Sequence, residues 1–389
     1  MSNHTDQAAR LLEEIDRGAE DALALARWMS EHPELSLEEH ETSARYIDYL
    51  ESRGFEIERG VHDLETAFLG RHGAAHPTVT VALLAEMDAL PEIGHACGHN
   101  LSGPASLLAA AALAATLPNE ALGLLVVGSP AEETGVGKRR LVAAGVFDGV
   151  DVAMMAHAAD MRRAHRLFLG NRKFDFVFHG KAAHAAAYPE RGINALDGVI
   201  ALFVATGLLR QQLSTGVRIH GIVSDGGRVP NVIPERAAAR FWVRALEDEV
   251  LADAADRLTA CARGAAVATG TRLEVLEIES TSPAMRPNLT LAALYRDQLE
   301  RLGLAETGQA PNESIGSSDI THVSRVVPTI HPNFPIGRNL QLHTREFALA
   351  TRSPEGEAGL LEAARALALT ALELALSQEA RVAVARAAA

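Results

Sequence analysis

Cysteine is nearly absent, with Cys97 and Cys261 the two examples in 389 residues. Two cysteines cannot staple a chain of this length. A disulfide framework is therefore excluded, and a reducing, cytoplasmic setting is the expectation. Basic charge is short as well: 36 Lys plus Arg stand against 50 Asp plus Glu, for a net charge of -14. That balance disfavours nucleic acid, whose phosphates bind by exchanging counterions for Lys and Arg. No apolar run reaches membrane length. The alanine-rich stretch after Gly103 stops at Leu117 before Pro118, short of the ~20 residues a span needs, so it reads as a buried helix and no membrane partner is expected. The opening MSNHTDQAARLLEEIDRG is polar and lacks the basic start and apolar core of a secretory signal. No G-x-S-x-G elbow follows an apolar strand pattern, which argues against a serine hydrolase of the α/β type.

What remains is a composition of 48% hydrophobic and 22% charged residues, enough apolar material to bury a large core. The length exceeds one compact core and predicts two domains. Residues 6–31 and the segment LSLEEHETSARYIDYLESRG, closed by Gly54, carry helical spacing and predict two surface helices at the start. TVTVALLAEMD (78–88), GLLVVGSP (123–130) and VDVAMMAH (150–157) are apolar strands separated by helical segments. This pattern predicts an α/β fold with a mostly parallel sheet flanked by helices. In such sheets ligands gather beyond the C-terminal strand ends, and all three strands end in residues able to bind a metal or move a proton. From Arg172 the pattern changes to strand, helix, two strands, helix, strand, the order of a ferredoxin-like α+β unit. The expected division is 1–171 plus 286–389 for one domain and 172–285 for an insertion. A final helix is predicted from about Pro354, with the last ten residues frayed.

The densest chemistry lies in MDALPEIGHACGHN, residues 87–100. Cys97 and His99 bracket one glycine and could give sulfur and imidazole to one metal, with Asp88 and His95 as supporting partners. On this segment alone, Cys97 is equally well read as a small buried hydrophobe. The second segment, GSPAEETGVGKRRL, sets Glu132 and Glu133 directly after a strand. Such a pair can divide labour between metal binding and proton transfer, although most Glu-Glu pairs are solvated charges. His157 and His343 follow further apolar patterns, and a lone histidine there is more often structural.

In combination these segments resemble the dinuclear metallo-amidohydrolases that include aminoacylases, indole-acetyl amino acid hydrolases and aminobenzoyl-glutamate hydrolases. DALP, GHACGHN, GSPAEE, MMAH, GKAAHAA, NALDG, VPNVIP, GSSD and LHT occur in the family's order along most of the chain. Asn100, where many relatives carry Asp, points to the aminobenzoyl-glutamate hydrolase and Xaa-Arg dipeptidase-like branch. The resemblance implies a phosphorylase/hydrolase-like catalytic domain with the insertion as a lid and dimerisation domain. It implies Cys97, His99, Glu133, His157 and His343 as ligands of two divalent ions, zinc or manganese with cobalt an option. It further implies Glu132 as general base, Asp88 as the carboxylate orienting a ligand, and His184 as an oxyanion donor reaching a partner's site in a homodimer. Asn231 and Arg244 are candidates for gripping a free carboxylate on a small amide substrate. The loop from Asn312 to Asp319 and Gly337 resembles the substrate-side rim. The alternatives are a metal-binding homologue without turnover and a subunit that needs a sister chain.

Overall fold

The computed structural model describes residues 2–278, 281–307 and 315–387. The Asn312 end of the rim loop lies outside them. The chain splits into two compact units. One comprises Met1–Leu167, Arg286–Ser314 and Ser318–Ala389, and the other Phe168–Met285 with Ile315–Ser317. The second unit starts at Phe168 because its entry and exit strands pair. Met285 N–H donates to Phe168 O (3.1 Å), and Asn171 and Ser282 exchange backbone bonds of 2.8 and 2.9 Å.

The first unit opens with α1 (Ser2–Glu31) and α2 (His40–Glu51), followed by β1 (Glu56–Val61), β2 (Leu64–His72), β3 (Thr80–Glu86), α3 (His99–Thr116), β4 (Gly123–Ser129), α4 (Gly137–Ala143), β5 (Val152–Met154) and β6 (His157–Ala159). The second helix begins at His40 instead of Leu35. The Glu34 carboxylate accepts the N–H groups of Glu41 and Thr42 at 2.9 and 2.7 Å, satisfying the first turn and leaving 35–39 outside the helix. The first helix is a surface helix with one buried face, its Arg10, Asp16, Arg17 and Asp21 lying exposed. Leu11, Ile15, Ala22 and Met29 are buried, and it packs on α3.

The second unit holds β7 (Gly170–His179), α5 (Ala195–Arg210), β8 (Arg218–Asp225), β9 (Arg236–Ala245), α6 (Asp248–Thr269) and β10 (Arg272–Glu277). Its sheet has the order β10-β7-β9-β8 and is antiparallel throughout, as a ferredoxin-like unit requires. Strand alternation sends Phe174, Phe176, Phe178, Phe241 and Val243 into a core with Leu202, Leu251 and Leu258 of the two helices. The opposite face carries Lys173, His220, Trp242 and Arg244.

The first unit resumes with α7 (Leu289–Arg301), α8 (Ile320–Val323), β11 (Thr329–Ile330), β12 (Asn333–Pro335), α9 (Arg345–Ala350), α10 (Pro354–Leu376) and α11 (Gln378–Arg386). The expected fraying is overturned by α11, which buries Ala380 and Val384. The sheet of this unit runs β1-β2-β4-β3-β5-β11. Its four strands β4, β3, β5 and β11 are parallel, while β1 and β2 join antiparallel. Every residue of β4 and six of seven in β3 are buried, because helices cover both faces. The alanine-rich α3 is the buried helix expected from the sequence, packed against β3, α1 and α10.

Candidate metal centre

The parallel strands deliver their ends to one place. After β3 the chain passes Asp88 and enters α3 through Gly98, whose φ of +90° lies in the left-handed region. A Cβ on Gly98 would meet the Ala158 Cβ at 2.5 Å, so only glycine lets Cys97 and His99 approach β6. After β4, Ala131 takes a φ of +58° and turns Glu132 and Glu133 inward. His157 opens β6, and His343, at φ +63°, is held by donating its N–H to Ala96 O at 2.9 Å.

Cys97, His99 and His157 present donor atoms all within 4.8 Å of one another, and so do Cys97, Glu133 and His343. Cys97 belongs to both groups. Its Sγ is 3.5 Å from His157 Nε2, and Glu133 Oε2 is 3.5 Å from His343 Nε2. The His99 Nδ1–H donates to Asp88 O at 2.8 Å, and the His157 Nδ1–H donates to Ala158 O at 2.8 Å. In both rings Nε2 is thereby left to face the cluster. Among the described residues, the buried His99 Nε2 and Glu133 Oε1 have no hydrogen-bond partner, as expected of atoms whose natural partner is an ion. Thiolate, imidazole and carboxylate in overlapping triads fit a pair of divalent ions sharing one sulfur.

The electrostatics follow from burial. Desolvation pushes the Cys97 thiol well above its usual value, so a metal must take the proton's place. Desolvation pushes His157 down to about 4, which keeps it neutral and able to ligate at neutral pH. Burial, then Glu86 and Asp319, push the Glu132 carboxyl well up. Glu132 Oε2 lies 4.0 Å from His99 Nε2. Asp88 stands behind His99 with Oδ1 3.2 Å from Nδ1, and its Oδ2 accepts Glu133 N–H at 2.9 Å and Ser36 Oγ–H at 2.7 Å.

His95 does not support a ligand. It is buried, and among the described residues neither of its ring nitrogens has a hydrogen-bond partner. Asn100 turns away from the cluster, donating from Nδ2 to Ser30 Oγ at 2.7 Å, so its lack of charge does not touch the donors. Sequence reasoning missed four supporting groups. Glu39 is fully buried and accepts Ala131 N–H and Thr66 Oγ1–H, both at 2.8 Å. Ser36 acts through Asp88. Glu86 and Lys138 form a buried ion pair at 2.6 Å. Glu86 and Lys138 lie inside segments already singled out, but nothing in their spacing signals burial.

His184, Asn231 and Arg244 lie in the second unit. His184 is exposed, and its Nδ1 accepts the N–H groups of Ala186 and Ala187 at 3.3 and 3.2 Å, which leaves the proton on Nε2. Ala185 N–H donates to Asn231 O at 3.0 Å, so His184 and Asn231 share one end of the unit. Arg244 lies near the far end of β9, roughly 27 Å of extended strand beyond Arg236. Asn231 and Arg244 of one chain therefore cannot grip one carboxylate together.

A family model described as the peptidase dimerisation domain matches residues 169–269. The chain is 36% identical over 379 residues to Xaa-Arg dipeptidase of Mus musculus, covering 94% of this chain and 88% of the relative. It is 33% identical over 324 residues to one of the subunits of the p-aminobenzoyl-glutamate hydrolase of Escherichia coli, covering 76% and 67%. Among solved structures, a dinuclear metal-binding peptidase of the M20 family from Bacillus subtilis superposes with a TM-score of 0.73 at 22% identity, covering 92% of this chain and 99% of that one. A likeness of this breadth, over a donor cluster built for metal, means that the chain belongs to the M20 peptidase family and is a metallo-hydrolase of dipeptides or acyl amino acids.

Proposed function

We propose that the protein is a cytoplasmic, homodimeric amidohydrolase that cuts an amide bond adjoining a free carboxylate, with two divalent ions held by Cys97, His99, Glu133, His157 and His343. The observation that carries this reading is that Cys97 belongs to two donor triads while Glu132, grouped with His99 and Glu133, holds its carboxylate close to the His99 ring. When bound, the ions supply Lewis-acid polarisation of the scissile carbonyl and acidify water. Glu132 takes the water's proton and returns it to the leaving nitrogen. Asp88 fixes the His99 ring from behind, and His184 offers its Nε2–H to the oxyanion. Thiolate with imidazole favours zinc, and the adjoining carboxylates make manganese or cobalt workable.

Two features of the second unit support the dimer. Ile200, Val204 and Leu208 form a stripe on α5 at four-residue spacing with 53%, 59% and 72% exposure, and β8 is an edge strand bearing exposed Ile222 and Val223. The separation of His184 and Asn231 from Arg244 fits a substrate site that draws these residues from two copies of the chain. Arg244 suits a carboxylate: its Nε is buried without a partner among the described residues, and Arg218 faces it across β8 and β9.

The test is hydrolysis of N-acyl amino acids and dipeptides, including Xaa-Arg and p-aminobenzoyl-glutamate, by chain stripped of metal and refilled with Zn, Mn or Co. Metal-restored cleavage that vanishes in Glu132→Ala supports the reading. Two bound ions without turnover on any substrate would favour a subunit that needs a sister chain, since the Escherichia coli relative is by name one subunit of its hydrolase.

A further inference from the structure

Two further groups of possible donors adjoin the Cys97 triads, and one of them, His99 with Glu132 and Glu133, brings Glu132 within reach of the same centre; the other lies apart from the thiol. Carboxylate oxygens of Glu86, Glu132 and Asp319 all fall within 4.8 Å of one another, an arrangement of hard oxygen donors that suits manganese, magnesium or calcium. A side chain already fills it. Lys138 has no exposed surface, and its Nζ lies 2.6 Å from Glu86 Oε1 and 2.5 Å from Asp319 Oδ1. Its own backbone N–H donates to Asp319 Oδ2 at 2.9 Å. The placement is rigid. The preceding Gly137 packs so tightly that a Cβ would strike Pro130 O, locking α4 onto the loop that carries Glu132. The other oxygen of Glu86, Oε2, is buried, has no hydrogen-bond partner among the described residues, and lies 3.3 Å from His99 Nε2.

We infer that Lys138 is a positioning residue, a built-in cation that occupies a third cation pocket and so withholds Glu86, Asp319 and above all Glu132 from the metal ions. A carboxylate that ligates an ion is a weaker base, because the cation's charge favours its ionised form over the protonated one. Three carboxylates crowded beside two divalent ions would compete to ligate them, or would capture a third ion. The ammonium engages Glu86 Oε1 and Asp319 Oδ1 and fills the space another cation would take there, so no ion draws Glu132 away from the His99 side. Lysine suits the task because its charge is compact and its three donors point in separate directions. The inference rests on the reading of Glu132 as base, but its primary readout does not.

The experiment counts Mn²⁺ per chain by equilibrium dialysis and elemental analysis for the full-length wild type, Lys138→Met, Lys138→Arg and Lys138→Met/Glu86→Gln. Wild type and Lys138→Arg are expected to hold two ions. Lys138→Met is expected to hold one more, at the vacated position, and the double variant to return to two because a donor has gone with the cation. On a substrate the wild type turns over, Lys138→Met is expected to lose kcat by about 100-fold or more, the range of general-base catalysis, with KM little changed. A count of two for Lys138→Met overturns the inference, as does a third ion that survives in the double variant. So does a Lys138→Met chain that stays unfolded in millimolar Mn²⁺, since a divalent ion should replace the ammonium. Wild type binding no ion would sink the amidohydrolase reading instead.

Discussion

Glu39 offers the sharpest test of how the metal-binding loop is held. Its carboxylate is fully buried, and its two oxygens accept from Ala131 N–H and Thr66 Oγ1–H, both at 2.8 Å. Ala131 is also the residue forced to a φ of +58°, a conformation that costs a non-glycine residue about 1–2 kcal/mol. Glu39→Ala leaves a buried N–H and a buried hydroxyl without partners, at about 1–3 kcal/mol each. Relief from burying the carboxylate offsets part of this, since desolvation raises its pKa, so a net loss of about 2–4 kcal/mol is expected. Glu39→Gln should behave differently. Its amide oxygen can still accept Ala131 N–H, and its NH2 can donate to Thr66 once that hydroxyl rotates, so the loss should stay below about 1 kcal/mol. Urea unfolding of the metal-free chains measures the stabilities. Chelator competition measures metal affinity, expected to fall about 10–100-fold for Glu39→Ala alone, as when a ligand's support is removed. Equal damage from Ala and Gln would show that charge, not the hydrogen bonds, matters at Glu39. Unchanged metal affinity in Glu39→Ala would refute its role in holding the loop.

Metal binding should release a proton near pH 7, because burial keeps the Cys97 thiol protonated until an ion displaces its proton. Calorimetry in buffers of different ionisation enthalpy would detect it, and Cys97→Ser should release less. The histidines should make the metal-free chain less stable on both sides of about pH 6.5. Native His157, held down to about 4, resists a proton that the unfolded ring accepts, so stability falls as pH drops from 6.5 towards 4, by up to about 3 kcal/mol. His99 works oppositely. Although burial opposes its charge, Glu86 and Asp88 raise its pKa well above 6.5, so its contribution is lost as pH rises through that raised value. Because burial depresses His95 and His331 as well, thermal melts across pH of His157→Gln beside wild type isolate the share of His157, and an unchanged acid limb would show it misassigned. Mixing His184→Ala with Glu132→Ala chains should restore about a quarter of the wild-type activity if sites are shared across a two-fold dimer, because one site per mixed dimer is then intact. No restoration on mixing, with exchange of chains verified, would rule out a shared site.

The parallel strands and the donors at their ends were legible because buried strands read as continuous apolar runs, and the residues that close them are Asp88, Glu132 with Glu133, and His157. The insertion was legible because its strands alternate around Phe174, Phe176 and Phe178. The pair β1 and β2 went unidentified. The pair runs through EIERGV and LETAFLGRH, and the edge strand β1 mixes charged with apolar residues, so it lacks the continuous apolar signal of the buried strands. Glu39, Ser36 and Lys138 were illegible for another reason. A charged or hydroxyl side chain in a polar segment looks solvated until the fold brings partners from distant positions, and Lys138 meets Asp319 from 181 residues away. His95 failed in the opposite sense, since a histidine within a metal motif suggests a partner while its environment provides none among the described residues.

Charge accounting ties these groups together. The neighbourhood of the donors contains five carboxylates, of Glu86, Asp88, Glu132, Glu133 and Asp319, and the ammonium of Lys138. With all of them ionised, one cation against five anions leaves four negative charges, the charge that two divalent ions neutralise. The thiolate of Cys97 adds one more. Buried anions at this density are stable only with compensating cations beside them: against these five negative charges one divalent ion leaves three, and two leave one. Lys138 sets that balance. A positive side chain inside a metal centre would ordinarily repel ions, but here it stands on the far side of Glu86 from His99 and cancels the charge that no metal is meant to reach.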